Sequence, residues 1–265
     1  SAAPSAVTAA WRLLWTVILM TPTVFGREEV RCEFRTTGKN ILLLSALSGF
    51  FLAIHFTLWF ESLSHTSVAS STTIVCTEVI WVSLGYCCFL KGKLSSKAVA
   101  AIGVTFAGSV LIAFSDSASG GSHLYGDILA LLAAVAVAVY TLIGQIVRKT
   151  ASTTVYTYMV YTSCAAVLLA ICFMQGSSLL NYGISAVIVG FLLAVFSTIL
   201  GHSIFSWCLK YFSPSFVSAS KLCEPVVAAV LAGFLFKEYP KFLQILGGVF
   251  ILGGVYYYSK LERRK

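Results

Sequence analysis

Apolar residues run almost unbroken through nine stretches of the chain, separated by short polar segments. They lie at roughly 6–26, 41–60, 66–90, 98–115, 128–147, 154–174, 184–209, 215–236 and 242–259. A membrane-spanning helix needs about 20 apolar residues, and each stretch approaches or exceeds that length. None shows the alternation over ~10-residue segments that marks an outer-membrane barrel strand. The pattern predicts an all-α polytopic membrane protein. Composition points the same way: 58% of the 265 residues are hydrophobic and 11% charged, with a mean hydropathy of +0.89. Soluble domains carry about 25% charged residues, so a water-soluble globule is excluded.

The charges set an expected orientation. Arg27, Arg31, Arg35 and Lys39 follow the first stretch, and Lys91, Lys93 and Lys97 the third. Arg148 and Lys149 follow the fifth, Lys210 the seventh, and Lys260, Arg263, Arg264 and Lys265 close the chain. All fall on one side, which the positive-inside rule makes cytoplasmic, together with the C-terminus. The opposite loops hold Glu61, Asp116 and Asp127, with Lys237 and Lys241 as their basic residues. The net charge of +8 is spread over separate short loops. It does not form the concentrated basic patch of a nucleic-acid binder.

The chain also repeats itself. A shift of 147 residues superposes His55 on His202, Cys76 on Cys223, Val79 on Val226, Leu84 on Leu231 and Phe89 on Phe236. The matched stretches are five spans apart, an odd number, so the copies are expected to be inverted in the membrane, a hallmark of secondary transporters. The same shift places residues 1–26 on 154–174. It leaves the span at 128–147 seeking a partner before residue 1, which implies ten spans of which nine are present here.

At this point the chain resembles the drug/metabolite transporter superfamily, in particular its ten-helix EamA-type members. The resemblance is carried by HFTLWFESLSHT at 55–66, KLCEPV at 221–226, Phe236-Lys237-Glu238 and the glycine-rich GGVFILGGV at 247–255. It implies two inverted repeats of five transmembrane helices, and export or exchange of a small metabolite. The chain departs from the family in its first helix, which there helps to line the central cavity. The expected organisation is a first repeat over 1–115, an outer linker over 116–127, a second repeat over 128–259 and a basic cytoplasmic tail over 260–265.

Ionisable groups at membrane depth are costly, and each is a functional candidate. Glu78 and Glu224 lie near the middle of their spans, at nearly corresponding places in the two repeats. Lys221 precedes Glu224 by three residues and can pair with it on one helical face. Glu78 has no basic neighbour on its own helix, and so reads as an isolated buried carboxylate suited to carrying a proton. Pro225 is expected to kink its helix. His55 and His202, related by the repeat, can change charge within the working pH range. Trp59, Trp81, Trp207 and Tyr140 are candidate cavity walls, or else packing residues. Arg12, shallow in the first span, reads more readily as a snorkelling residue than as a substrate contact.

Other chemistries find no support. No phosphate-binding G-x-x-x-x-G-K-[ST] loop is present, and no nucleophile-elbow G-x-S-x-G or zinc-protease motif. The eight cysteines show no CxxC spacing, so neither a metal nor a cofactor is expected. The sequence therefore predicts a secondary transporter of a small polar or amphipathic metabolite, amino-acid-like in preference, working by alternating access. Export with protons as the candidate coupling ion is the favoured form. The expected substrate-binding set is His55, Trp59, Glu78, Tyr140, His202, Trp207, Lys221 and Glu224. The expected setting is the plasma or inner membrane, as a monomer or weak homodimer; small-residue faces at Gly103/Ala107 and Gly247–Gly254 suit either a dimer contact or close helix packing within the chain. The competing readings are a non-transport membrane receptor or scaffold and, further off, an intramembrane enzyme.

Overall fold

The computed structural model describes residues 3–66, 68–116, 124–224, 226, 227, 230 and 242–262. Among them there is no strand, and the helices follow the apolar stretches closely. In chain order they are α1 (Ser5–Gly26), α2 (Glu28–Thr36), α3 (Lys39–His65), α4 (Val68–Val75), α5 (Glu78–Phe89), α6 (Ser96–Asp116) and α7 (Leu124–Val147). Then come α8 (Thr153–Met174), α9 (Gly183–Leu192), a π-helix (Leu193–His202), α10 (Ser203–Cys208), α11 (Pro214–Lys221) and α12 (Phe242–Glu262). Among the described residues, seven segments are long and apolar enough to cross a membrane, and Ser96–Ile112 adds a shorter apolar helix. The protein is an integral, multi-pass α-helical membrane protein. Pro225 and residues 228, 229 and 231–236 of the eighth expected span, with Lys237, Lys241 and the basic residues at 263–265, lie outside the described residues.

The polar interruptions become identifiable devices. Helix α2 carries three glutamates and two arginines among its nine residues and buries none of its side chains, as befits a segment lying at a membrane surface rather than crossing it. Glu33 of α2 accepts from the Ser152 amide at 2.6 Å. Ser152 in turn caps α8 by accepting from the Val155 amide, satisfying one of that helix's orphan donors. Ser213 caps α11 in the same way through Phe216, with Pro214 at the first helical turn. There its missing N–H costs nothing.

Two compact units form, each drawing segments from both halves of the sequence: Ser1–Glu61 with Val139–Tyr211, and Ser62–Ala138 with Phe212–Lys265. In the first, α1 packs along α8, α9 and the π-helix, burying Val7, Ala10, Leu13, Val160, Tyr161 and Leu168. In the second, α6 and α12 pack most closely. A Cβ on Gly108 would come within 2.6 Å of the Gly247 carbonyl oxygen, and one on Gly247 equally close to that of Gly108. Small residues let two backbones approach when lipid offers no hydrophobic drive to associate. The Gly247–Gly254 face thus serves packing within the chain, while Gly103 meets open space.

Two of the expected spans are not continuous. The stretch at 66–90 breaks at Cys76–Thr77 and resumes with Glu78; the stretch at 215–236 breaks at Leu222–Cys223 and resumes with Glu224. The breaks obey the internal repeat. At each, an amide donates three residues back instead of four: Val79 to Cys76 at 3.4 Å and, 147 residues later, Val226 to Cys223 at 3.0 Å. Such tightened turns leave backbone groups unused by the helix.

Candidate functional site

Within the second unit, the helix breaks gather the charged residues. Lys221, in the last turn of α11, places its Nζ 2.6 Å from Oε1 of Glu78, which opens α5. The side chains are 13% and 10% exposed. Each charge sits at the helix end that favours it, the ammonium by the carbonyl end of one half-helix and the carboxylate by the amide end of the other. Cys76, in the first break, lies within electrostatic reach of Glu78, Lys221 and Glu224. Two carboxylates and one ammonium thus act electrostatically on this one residue. This corrects the expectation of an isolated Glu78: its counter-charge comes from another helix, where spacing along its own helix could not reveal it. Lys221, expected to serve Glu224, bridges to Glu78, and Glu224 itself is exposed. Trp81 is 37% exposed and donates from Nε1 to Thr77 Oγ1 at 3.3 Å, so it borders the break from outside the core.

Within the first unit, a second cluster forms around the buried ring of Phe56. His55 lies 5.3 Å from it and stacks on Trp59 at 6.1 Å with an interplanar angle of 12°. His202 meets Phe56 edge-on at 5.6 Å and Tyr140 at 6.2 Å. The two repeat-related histidines thus converge on one ring. Tyr140 is tied to Ser206 by a 3.0 Å hydroxyl–hydroxyl bond. Sequence reasoning placed four of these residues in the site and missed the fifth. Arg12 does not snorkel. It is 2% exposed, with its guanidinium 4.3 Å above the Phe56 ring, Nε donating to Thr198 Oγ1 at 2.7 Å and an Nη to Ser197 Oγ at 2.9 Å. The signal available was its position on the buried face with Ala9, Leu13 and Thr16, at helical spacing. Trp207 falls outside this cluster: next to buried Ser206, it is 49% exposed and packs on Tyr211 at 4.9 Å.

A second buried arginine is structural. Arg148 donates to the carbonyls of Ser206 (3.0 Å) and Ala151 and to Thr153 Oγ1 (2.6 Å), closing the turn between α7 and α8. Among the described residues, no group of three or more His, Cys, Asp or Glu is placed to hold a metal ion.

Apolar helices broken at repeat-related turns, with charges set against the half-helix ends, are the construction of secondary transporters. The sequence comparison agrees. The EamA-like transporter family matches twice in succession, at residues 1–114 and 124–260, and the chain belongs to that family. An uncharacterized transporter of Archaeoglobus fulgidus is 21% identical over 251 residues, covering 94% of this chain and 85% of that protein. One of Bacillus subtilis is 26% identical over 220 residues, covering 82% and 70%. A solved structure matches with a TM-score of 0.80 at 16% identity, over 100% of this chain and 90% of the other, a likeness of fold.

Proposed function

We propose that the protein is a secondary transporter exporting a small, amino-acid-like metabolite by alternating access, with proton entry as its driving reaction. The observation that carries this is the Glu78–Lys221 pair at the helix breaks. A zwitterion can exchange into it without changing the local net charge: its carboxylate takes the place of Glu78 on Lys221, and its ammonium turns to Glu78 or Glu224. One charge-assisted bond is traded for two, each worth about 1.5–3 kcal/mol. The surplus can offset the cost of drawing the substrate out of water. Glu78, displaced from Lys221 by the substrate, is the proposed carrier of the coupling proton.

His55, Trp59, Tyr140 and His202 are proposed as a second set of substrate contacts, offering aromatic faces and hydrogen-bond donors to the rest of the molecule. The tandem family matches support two repeats, for which 1–115 and 128–259 remain the proposed boundaries. The basic loops support a cytoplasmic C-terminus in a plasma or inner membrane.

The test is a thermal-shift series with purified protein, since a ligand stabilises in proportion to its occupancy. Free amino acids should raise Tm more than their methyl esters, which are cations, or their N-acetyl forms, which are anions. In Lys221→Met, the advantage of ligands carrying a carboxylate should vanish. Equal shifts for all three ligand types, or an advantage that survives Lys221→Met, would overturn the assignment.

A further inference from the structure

The span at 184–209 contains an oddity that the proposed transport reading does not use. Ten consecutive residues, Leu193–His202, are π-helical between the α-helical segments α9 and α10. A π-helix bonds each amide five residues back; it is rare, occurs mostly as single-turn bulges within α-helices, and those are frequent at functional sites. Something must hold this one open.

We infer that Arg12 is a positioning residue that holds the π-helix and thereby sets the place of His202. Its fork clamps Ser197 and Thr198 in the middle of the segment, at 2.9 and 2.7 Å. Thr198 is the hub. Its hydroxyl also reaches back five residues to the Leu193 carbonyl at 3.4 Å, its carbonyl accepts from the Ser203 amide, and the Ser203 hydroxyl donates to the same carbonyl at 3.3 Å. Tyr161 closes the group from α8, 3.0 Å from Ser203 Oγ. The segment ends on His202, whose ring meets the Phe56 ring that also lies under the Arg12 guanidinium. Arg12 thus holds both ends of one arrangement, the backbone that carries His202 and the ring on which His202 rests.

Rewinding the segment to α-helix would move every amide to the next carbonyl and turn His202 off Phe56. Close-packed interiors resist such shifts, but there is room beside this one. A pocket of about 250 Å³ lies against Ile199 and Ser203, its far side formed by Leu19, Met20, Thr23 and the first turns of α8. The guanidinium fork suits the task because it makes two directed bonds from one rigid plane, which a lysine ammonium cannot reproduce.

The inference rests on the transport reading only in giving His202 a role, and its test needs no substrate. In the purified protein carrying labelled histidine, the His202 ring resonances report the Phe56 ring, while His65, outside the cluster, is an internal reference. Thr198→Val keeps the side-chain shape and removes the hydroxyl that Arg12 grips. It should move the His202 signal towards that of free imidazole and speed amide exchange over 193–203, leaving His65 unchanged. Arg12→Lys should do the same to a lesser degree. Should Arg12 itself be needed for folding, Thr198→Val and Ser197→Ala still decide the matter. An unmoved His202 resonance with unaltered exchange in both hydroxyl variants overturns the inference. A moved resonance, together with counterflow of a radiolabelled amino-acid mixture that is indifferent to His202→Asn, supports the positioning role and removes His202 from the transport reading instead.

Discussion

Replacing Lys221 by Met should destabilise the protein more than replacing Glu78 by Gln, and the double variant should be far less damaged than the two losses added together. The reasoning starts from burial. The paired side chains are 13% and 10% exposed, 2.6 Å apart, and removing one partner of a buried pair costs about 3–5 kcal/mol, because the other charge is stranded. The slight exposure argues for the lower end, about 3 kcal/mol. The two single variants differ because Glu224 lies near the same turn. Lys221→Met leaves two carboxylates there with no ammonium, whereas Glu78→Gln leaves Lys221 to answer Glu224. At about 2–4 °C per kcal/mol for a chain of this order of size, Lys221→Met should lower Tm by about 6–12 °C. Glu78→Gln should lower it by no more than about half that. Glu78→Gln/Lys221→Met removes both charges at once, so the cycle should show a coupling of about 2 kcal/mol or more. The assay is thermal unfolding of detergent-purified protein, followed by intrinsic tryptophan fluorescence. Additivity within about 0.5 kcal/mol, or Glu78→Gln as the worse single variant, would refute the reasoning.

The remaining expectations follow from packing. Gly108→Ala should cost about 1–3 kcal/mol by overpacking against the Gly247 carbonyl and Ile251, while Gly103→Ala, which meets nothing within 4 Å, should leave Tm unchanged or slightly raised. Arg148→Met leaves the Ser206 and Ala151 carbonyls unserved and should lower stability by about 2 kcal/mol or more without altering ligand preference, which the thermal-shift series reads directly. Trp207→Phe, changing an exposed ring, should leave tracer uptake within about twofold of wild type, as surface substitutions usually do; a larger loss would return Trp207 to the site.

Much of the architecture was legible because hydropathy is a long-range average: seven of the nine apolar stretches appear as spanning helices, and 98–115 as α6. The same averaging hid the breaks. Val75, Cys76 and Thr77 are neither glycine nor proline, so nothing in their composition announces a turn; only the 147-residue shift onto Cys223, beside Pro225, hinted at it. The charged pair was misread for a related reason. Spacing of three residues reports neighbours on one helix, as for Lys221 and Glu224, but is silent about a partner 143 positions away. His55 and His202 were found through the repeat, yet their meeting on Phe56 depends on the π-helix, and no local pattern distinguishes LAVFSTILGH from an ordinary α-helical run. Arg12 was undervalued because an arginine near the start of a span can reach water; its burial is decided by Ser197 and Thr198, more than 180 residues on.

The most direct test of the central claim is uptake into sealed proteoliposomes of the purified protein. Internal unlabelled amino acids should drive counterflow of labelled ones, and an inwardly directed proton gradient should increase efflux from preloaded vesicles. Glu78→Gln should abolish the response to the gradient while counterflow persists. Vesicles that equilibrate no labelled amino acid faster than protein-free controls, with ligand-free unfolding showing the protein intact, would contradict the account. So would a Glu78→Gln protein with an undiminished response to the proton gradient.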